Sequence, residues 1–195
     1  MAEGKKTTRK KPAKKKTKTN SVLREFISVS IYLLSVLVLV YLLITFVGQR
    51  TVVQGDSMEP ALSNGDSLLV DKITYRFHQI QRFDIVVFPD AYEPDSYYIK
   101  RVIGLPGETV FINDEGSIFI NGELLEESYG KDVITNPGLA ANSVYLASDE
   151  YFVLGDNRNN SADSRDPTIG CVKKANIVGR AALRILPFSR KGKIR

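Results

Sequence analysis

The chain has 195 residues and a formal net charge of +5, with a single cysteine, Cys171, and a single histidine, His78. One cysteine excludes a disulfide within the chain, and one histidine leaves no Cys/His zinc set. The charge is unevenly placed: residues 1–25 carry +8 and residues 50–195 carry −3, so no basic footprint for nucleic acid lies beyond the first 25 residues.

Residues 1–25 hold ten Lys/Arg against Glu3 and Glu25 and are low in complexity, which predicts a disordered basic tail. Attraction to anionic lipids of an inner leaflet is compatible with it. Residues 26–47, Phe26 to Val47, form an apolar run with no charged residue, and at about 1.5 Å per residue they cross a hydrocarbon core of roughly 30 Å as one helix. The run is too long for an ordinary secretory h-region, and Val47-Gly48-Gln49 lacks a small-x-small cleavage site, so an uncleaved anchor is expected. The basic flank places the N-terminus in the cytoplasm and residues 50–195 outside.

Beyond the anchor the pattern changes to short β-type runs separated by turn residues. Strands are predicted at Thr51–Val53, Ser67–Ile73, Asp84–Phe88, Tyr97–Ile103, Thr109–Ile112, Ser117–Ile120, Tyr151–Leu154 and Ile177–Leu186. Asn121-Gly122 is a two-residue hairpin signal. The fold class is therefore mainly β, one antiparallel domain over residues 50–195. No Walker A loop, Gly-x-Gly-x-x-Gly loop or repeat of solenoid period is present.

Three clusters carry the chemistry. In Gly55-Asp56-Ser57-Met58-Glu59-Pro60 the glycine and aspartate favour a turn, and Pro60 bars a regular strand, so the Ser57 hydroxyl can stand exposed beside the anchor. Gly65-Asp66-Ser67 repeats the tripeptide, but there a turn opening a strand is the plain reading.

A serine nucleophile needs a base, and a triad would have to use His78 itself. A desolvated lysine can serve instead. In the strand Tyr97–Ile103, alternation sets Lys100 with Tyr98 and Val102, and Arg101 with Ile99 and Ile103. One of the two cations must face apolar surroundings, and only lysine releases its proton usefully, which selects Lys100. The competing reading is a lysine that snorkels at a sheet edge or pairs with a carboxylate.

The third cluster, Gly155 to Arg165, holds no large apolar side chain. It reads either as solvated surface or as a rigid polar loop in which Asp163 and Arg165 form a bracing ion pair. Its Asp/Asn density lacks the spacing of an EF-hand calcium loop, and no metal site is expected.

In this order behind an N-terminal anchor, the clusters resemble bacterial type I signal peptidases. Ser57-Met58-Glu59-Pro60-Ala61-Leu62 resembles the family's Ser-Met-x-Pro-Thr-Leu box, and Gly65-Asp66-Ser67-Leu68-Leu69-Val70 the next one. Lys100 to Glu108 is similar to the lysine box, and Gly155 to Arg165 to the Gly-Asp-Asn-Arg-x-Asn-Ser-x-Asp-Ser-Arg box.

The resemblance implies a Ser-Lys dyad of Ser57 and Lys100 working through an acyl-enzyme. It also implies that Ser161 orients the lysine amine, that Asp163 and Arg165 support the loop, and that Met58 and Pro60 lie close to substrate and membrane. No cofactor is implied. The implied partners are preproteins whose signal peptides end in an Ala-x-Ala type site, the lipid bilayer and, by proximity, the protein-export translocon. The implied location is the bacterial cytoplasmic membrane, single-pass, with the catalytic domain on the outer face. Gly55 stands where some members have a serine that helps bind the oxyanion, and Ala61 stands where threonine is usual. The alternatives are an inactive membrane-tethered binding homologue and a self-cleaving Ser-Lys protease of the LexA/UmuD type.

Overall fold

The computed structural model describes residues 19–46, 48–93 and 96–194. The chain divides into two units, one up to Leu42 and one from Leu43 onward. Most of helix α1, Thr19–Phe46, lies in the first, and its stretch Val22–Leu42 has a mean hydropathy of 2.2 and is long and apolar enough to cross a membrane. The helix begins seven residues before the expected Phe26, so Thr19–Glu25 are helical rather than part of a disordered tail. Val22, Leu23, Arg24 and Glu25 can continue a helix whether or not they sit in lipid. The rest of the tail, residues 1–18, and Val47 lie outside the described residues.

The second unit is antiparallel throughout. Its strands are β1 (Gly48–Val52), β2 (Ser67–Asp71), β3 (Ile85–Pro89), β4 (Tyr97–Gly104), β5 (Thr109–Ile112), β6 (Ile118–Ile120), β7 (Glu123–Leu124), β8 (Val144–Tyr145), β9 (Glu150–Leu154), β10 (Val172–Lys173), β11 (Gly179–Leu186) and β12 (Gly192–Lys193), with a short helix α2 (Thr74–Phe77) after β2. One sheet runs β1-β2-β11-β3-β4-β9-β10, with β12 added to β11, and a smaller one runs β7-β6-β5-β8.

All eight expected strands are present. Thr109–Ile112 matches in full, and the others shift by up to three residues at an end. The second strand stops at Asp71 rather than Ile73 because the Asp71 carboxylate accepts from the N–H of Ile73 and Thr74 and turns the chain into α2. The four unexpected strands β7, β8, β10 and β12 have two residues each, too short to show a period. Asn121 and Gly122 both adopt positive φ, 53° and 85°, and join β6 to β7 as the hairpin signal requires.

Two relationships position the site. Strand β4 lies between β3 and β9, and its pairing of Arg101 with Leu154 delivers the segment starting at Gly155 beside Lys100. Three strands separate β1 from β4 in the sheet order. The connection after β1 nevertheless reaches β4, because Val53, Met58 and Leu62 are buried with Leu68, Val70, Ile85, Val87 and Ile99. Burying those apolar side chains folds the connection back toward β3 and β4.

Candidate active site

Gly55, at φ +82°, opens the turn that presents Ser57, and a hydrogen bond from Leu62 N to the Met58 carbonyl at 2.8 Å closes the turn behind it. Lys100 Nζ lies 2.7 Å from Ser57 Oγ. The lysine is 3 % exposed, and the Tyr98 ring centroid is 5.6 Å from its amine. No carboxylate among the described residues forms an ion pair with it. Burial pulls the ammonium from its ordinary 10.5 down to about 8, against the opposing pull of the Asp163 and Asp156 charges.

Arg101 is buried too, at 1 % exposure, so alternation did not leave only one of the two cations inside. What differs is compensation. Arg101 meets Asp156 in a two-pronged ion pair at 2.8 and 2.7 Å, donates to the Phe83 carbonyl at 3.0 Å, and stacks on Tyr129 at 3.8 Å. The carboxylate offsets the burial of Arg101, whereas the Lys100 amine has no such partner and burial lowers its pKa.

The segment after β9 is a rigid polar loop. Asp163 and Arg165 form an ion pair at 2.8 Å, Asp163 also accepts from Gly155 N at 3.1 Å, and Arg165 donates to the Asn136 carbonyl at 3.1 Å. The loop grips the Ser57 turn directly: Asn157 N donates to the Ser57 carbonyl at 3.0 Å, and Asn157 Nδ2 to the Asp56 carbonyl at 3.2 Å. Gly155 makes this approach possible, since a Cβ there would stand within 3.0 Å of both Ser161 Oγ and the Ser57 carbonyl oxygen.

Ser57 and Lys100 thus meet, and Asp163 pairs with Arg165. Ser161 Oγ reaches the Ala162 carbonyl at 3.5 Å and makes no hydrogen bond to the Lys100 amine in this structure. Met58 lines the cleft, but at 1 % exposure its side chain is a core residue rather than a free contact for substrate, because the turn needs an apolar anchor. Pro60, after a cis peptide bond, is exposed and is not among the residues lining the cleft. His78 is exposed at the end of α2, away from the cleft lining, and Cys171 is half-buried against a core cluster. No group of three His, Cys, Asp or Glu among the described residues is placed to hold a metal ion.

The Ser57–Lys100 pair opens into a cleft of about 790 Å³, walled by Thr51–Met58 on one side, Ser96–Lys100 on the other, and Asn160 and Ala162 from the polar loop. Among the described residues strand β1 pairs on one side only, with β2, and stands at the edge of their sheet.

Residues 24–186 match the family described as Signal peptidase, peptidase S26. The chain belongs to this family. It is 40 % identical over 178 residues to the probable signal peptidase I-1 of Synechocystis sp., covering 87 % of this chain and 88 % of the relative. It is 34 % identical over 196 residues to signal peptidase I T of Bacillus subtilis, covering 97 % of each. The crystal structure of a signal peptidase I from Enterococcus faecalis V583 aligns with a TM-score of 0.44 at 38 % identity, covering 53 % of this chain and 97 % of that one. The chain is accordingly a peptidase, and its antiparallel β unit is the part that carries the Ser57–Lys100 pair.

In this signal peptidase family member, the residues that sequence reasoning passed over are Asp156, Asn157, Arg158 and Gly155 as structural partners. Asp156 pairs with Arg101, Asn157 ties the loop to the Ser57 turn, and Arg158 pairs with Glu127 at 2.7 Å. Each sits inside the recognisable Gly155–Arg165 box, but its partner lies on a distant segment, and nothing in the linear order names that partner.

Proposed function

We propose that this signal peptidase removes signal peptides from preproteins with a Ser57–Lys100 dyad, cutting after an Ala-x-Ala type site. The single observation that carries the reading is the 2.7 Å approach of a buried Lys100 amine, with its pKa pulled to about 8, to the Ser57 hydroxyl. Near neutral pH part of the population holds a neutral amine whose lone pair can take the serine proton along that line.

Ser57 Oγ attacks the carbonyl carbon of the scissile bond while its proton passes to Lys100 Nζ. The resulting ammonium donates a proton to the leaving amine, which departs as the new N-terminus of the mature protein. Water, deprotonated by the same amine, then attacks the Ser57 ester and releases the signal peptide. The oxyanion accepts a hydrogen bond from the Ser57 N–H, which has no acceptor among the described residues. Met58 and Pro60 act by shaping the turn. Ser161 stands beside the site on the polar loop and orients the amine when its hydroxyl rotates from the Ala162 carbonyl.

The substrate lies extended in the cleft and adds its backbone to the free edge of β1. Helix α1 anchors the protein in the bacterial cytoplasmic membrane, the basic N-terminus remains in the cytoplasm, and the catalytic unit works on the outer face. Only ten residues separate Phe46 from Ser57, so the nucleophile is tethered close to the bilayer, where a signal peptide leaves the export translocon.

The test is cleavage of a purified preprotein bearing an Ala-x-Ala site by the full-length protein in detergent, comparing wild type with Ser57→Ala and Lys100→Ala. Cutting after the final alanine that both substitutions abolish is expected. Full activity in Lys100→Ala removes the dyad, and absence of cutting by wild type removes the substrate reading.

A further inference from the structure

The nucleophile turn is held at two ends, and only one of the holds comes from the polar loop. At its far end the turn meets Arg184 on β11. Arg184 Nη2 donates to the Ala61 carbonyl, and the neighbouring Leu62 N–H closes back on Met58, the residue after the nucleophile.

Asp66, 0 % exposed, organises this end. One carboxylate oxygen accepts from Ser63 N at 3.0 Å and has Arg184 Nε at 2.9 Å, close enough for an ion pair but off the angle of a hydrogen bond. The other oxygen accepts from Arg190 Nη2 at 2.9 Å, while Arg190 Nη1 donates to Ser63 Oγ at 2.8 Å. The buried Asp66 carboxylate holds Arg184 in place, because moving Arg184 away leaves Asp66 to the more exposed Arg190 alone.

We infer that Arg184, set by Asp66, is a positioning residue for Ser57: it holds the far end of the turn so that Oγ stays within proton-transfer distance of the Lys100 amine. The inference rests on Ser57 being the nucleophile. Arg184 touches neither Ser57 nor the cleft, so its effect passes through the Ala61–Leu62 segment. Loss of this hold lets the turn relax at one end while Asn157 still grips the other. A displacement of the order of an ångström suffices to slow attack without altering the cleft walls that bind substrate.

The experiment uses the full-length protein in detergent and a preprotein substrate, with rates expressed per folded molecule. Arg184→Ala is expected to lower kcat about tenfold with KM within about twofold of wild type, and with the pH dependence of kcat unmoved because the surroundings of Lys100 are intact. Arg184→Lys keeps a donor for the Ala61 carbonyl and is expected to recover most of the lost kcat. Arg190→Ala leaves Arg184 on Asp66 and is expected to cost less than Arg184→Ala.

A wild-type kcat per folded molecule in Arg184→Ala overturns the inference, since the loss would then be one of folding alone. If Arg184→Ala does not fold, Arg184→Lys decides it against Arg190→Ala: a kcat lower in Arg184→Lys than in Arg190→Ala, with unchanged KM, supports positioning, and a kcat in Arg184→Lys equal to or above that of Arg190→Ala overturns it. A parallel Ser57→Ala arm separates the two questions: residual cutting there refutes the nucleophile assignment on which the role of Arg184 rests, whereas a wild-type kcat in Arg184→Ala with no cutting by Ser57→Ala refutes the role of Arg184 alone.

Discussion

Lys100 and Arg101 are adjacent on one strand and both buried, yet only Arg101 has a carboxylate partner: Asp156 closes on it at 2.7 Å, while the Lys100 amine faces the Ser57 hydroxyl at the same distance. The division of roles follows from that asymmetry. The carboxylate-paired guanidinium braces the strand, and the Lys100 amine, with no carboxylate partner, is the group proposed as the base.

Cleavage should rise with pH as Lys100 loses its proton. The neutral amine is the working form, so kcat/KM is expected to increase through a half-point near 8. The Asp163 charge favours the ammonium, so Asp163→Asn should shift the half-point to lower pH in whatever fraction still folds. A pH–rate profile unchanged between pH 6 and 10 would remove Lys100 as the base.

The same burial should cost stability. The folded-state pKa of Lys100 is depressed to about 8 from 10.5, so the folded protein binds fewer protons than the unfolded chain between those values, and stability rises with pH across that window. Below pH 8 the folded state carries a buried ammonium at a cost of about 3 kcal/mol. Lys100→Met should therefore be inactive yet more heat-stable than wild type at pH 7, with the gap closing toward pH 10.5. Melting curves at pH 7 and 10 measure it, and a less stable Lys100→Met at pH 7 contradicts it.

Breaking the Arg101–Asp156 pair should be severe. Removing one partner leaves an uncompensated buried charge, a loss of about 3–5 kcal/mol. Asp156→Asn is expected to lower the melting temperature strongly, and Arg101→Met with Asp156→Leu together should cost less than the sum of the single changes. Additive losses in the double variant would show that the two side chains are not coupled.

Gly155→Ala should act on catalysis. Its Cβ would press on Ser161 Oγ and the Ser57 carbonyl oxygen, so the polar loop and the nucleophile turn must separate. A fall in kcat of about a hundredfold is expected, with substrate affinity measured on the Gly155→Ala, Ser57→Ala double variant little changed. By contrast, Lys131→Ala removes only a solvent-screened pair with Glu59 at 3.0 Å and should leave the melting temperature nearly unchanged.

Much of this was legible in the linear order. The apolar run required a long helix, though its start at Thr19 was masked by polar residues that extend a helix equally well. Alternation and turn residues located eight strands, and the serine, lysine and Gly155–Arg165 clusters named the residues that the fold brings together at the candidate site. The Asp163–Arg165 pair was visible because its members are two residues apart.

What only the tertiary structure decided is which distant groups face one another. Residue order constrains neighbours along the chain, where hydrophobic periodicity and turn chemistry act locally. It does not say that β9 pairs with β4 in the register that brings Gly155 to Lys100, or that Met58 is spent on the core. Nor does it say that Asp156 neutralises Arg101 while Asp66 gathers Arg184 and Arg190 behind the nucleophile turn. Those matches depend on strand register and on the penalty for burying a charge without its partner, and both exist only once the chain has closed on itself.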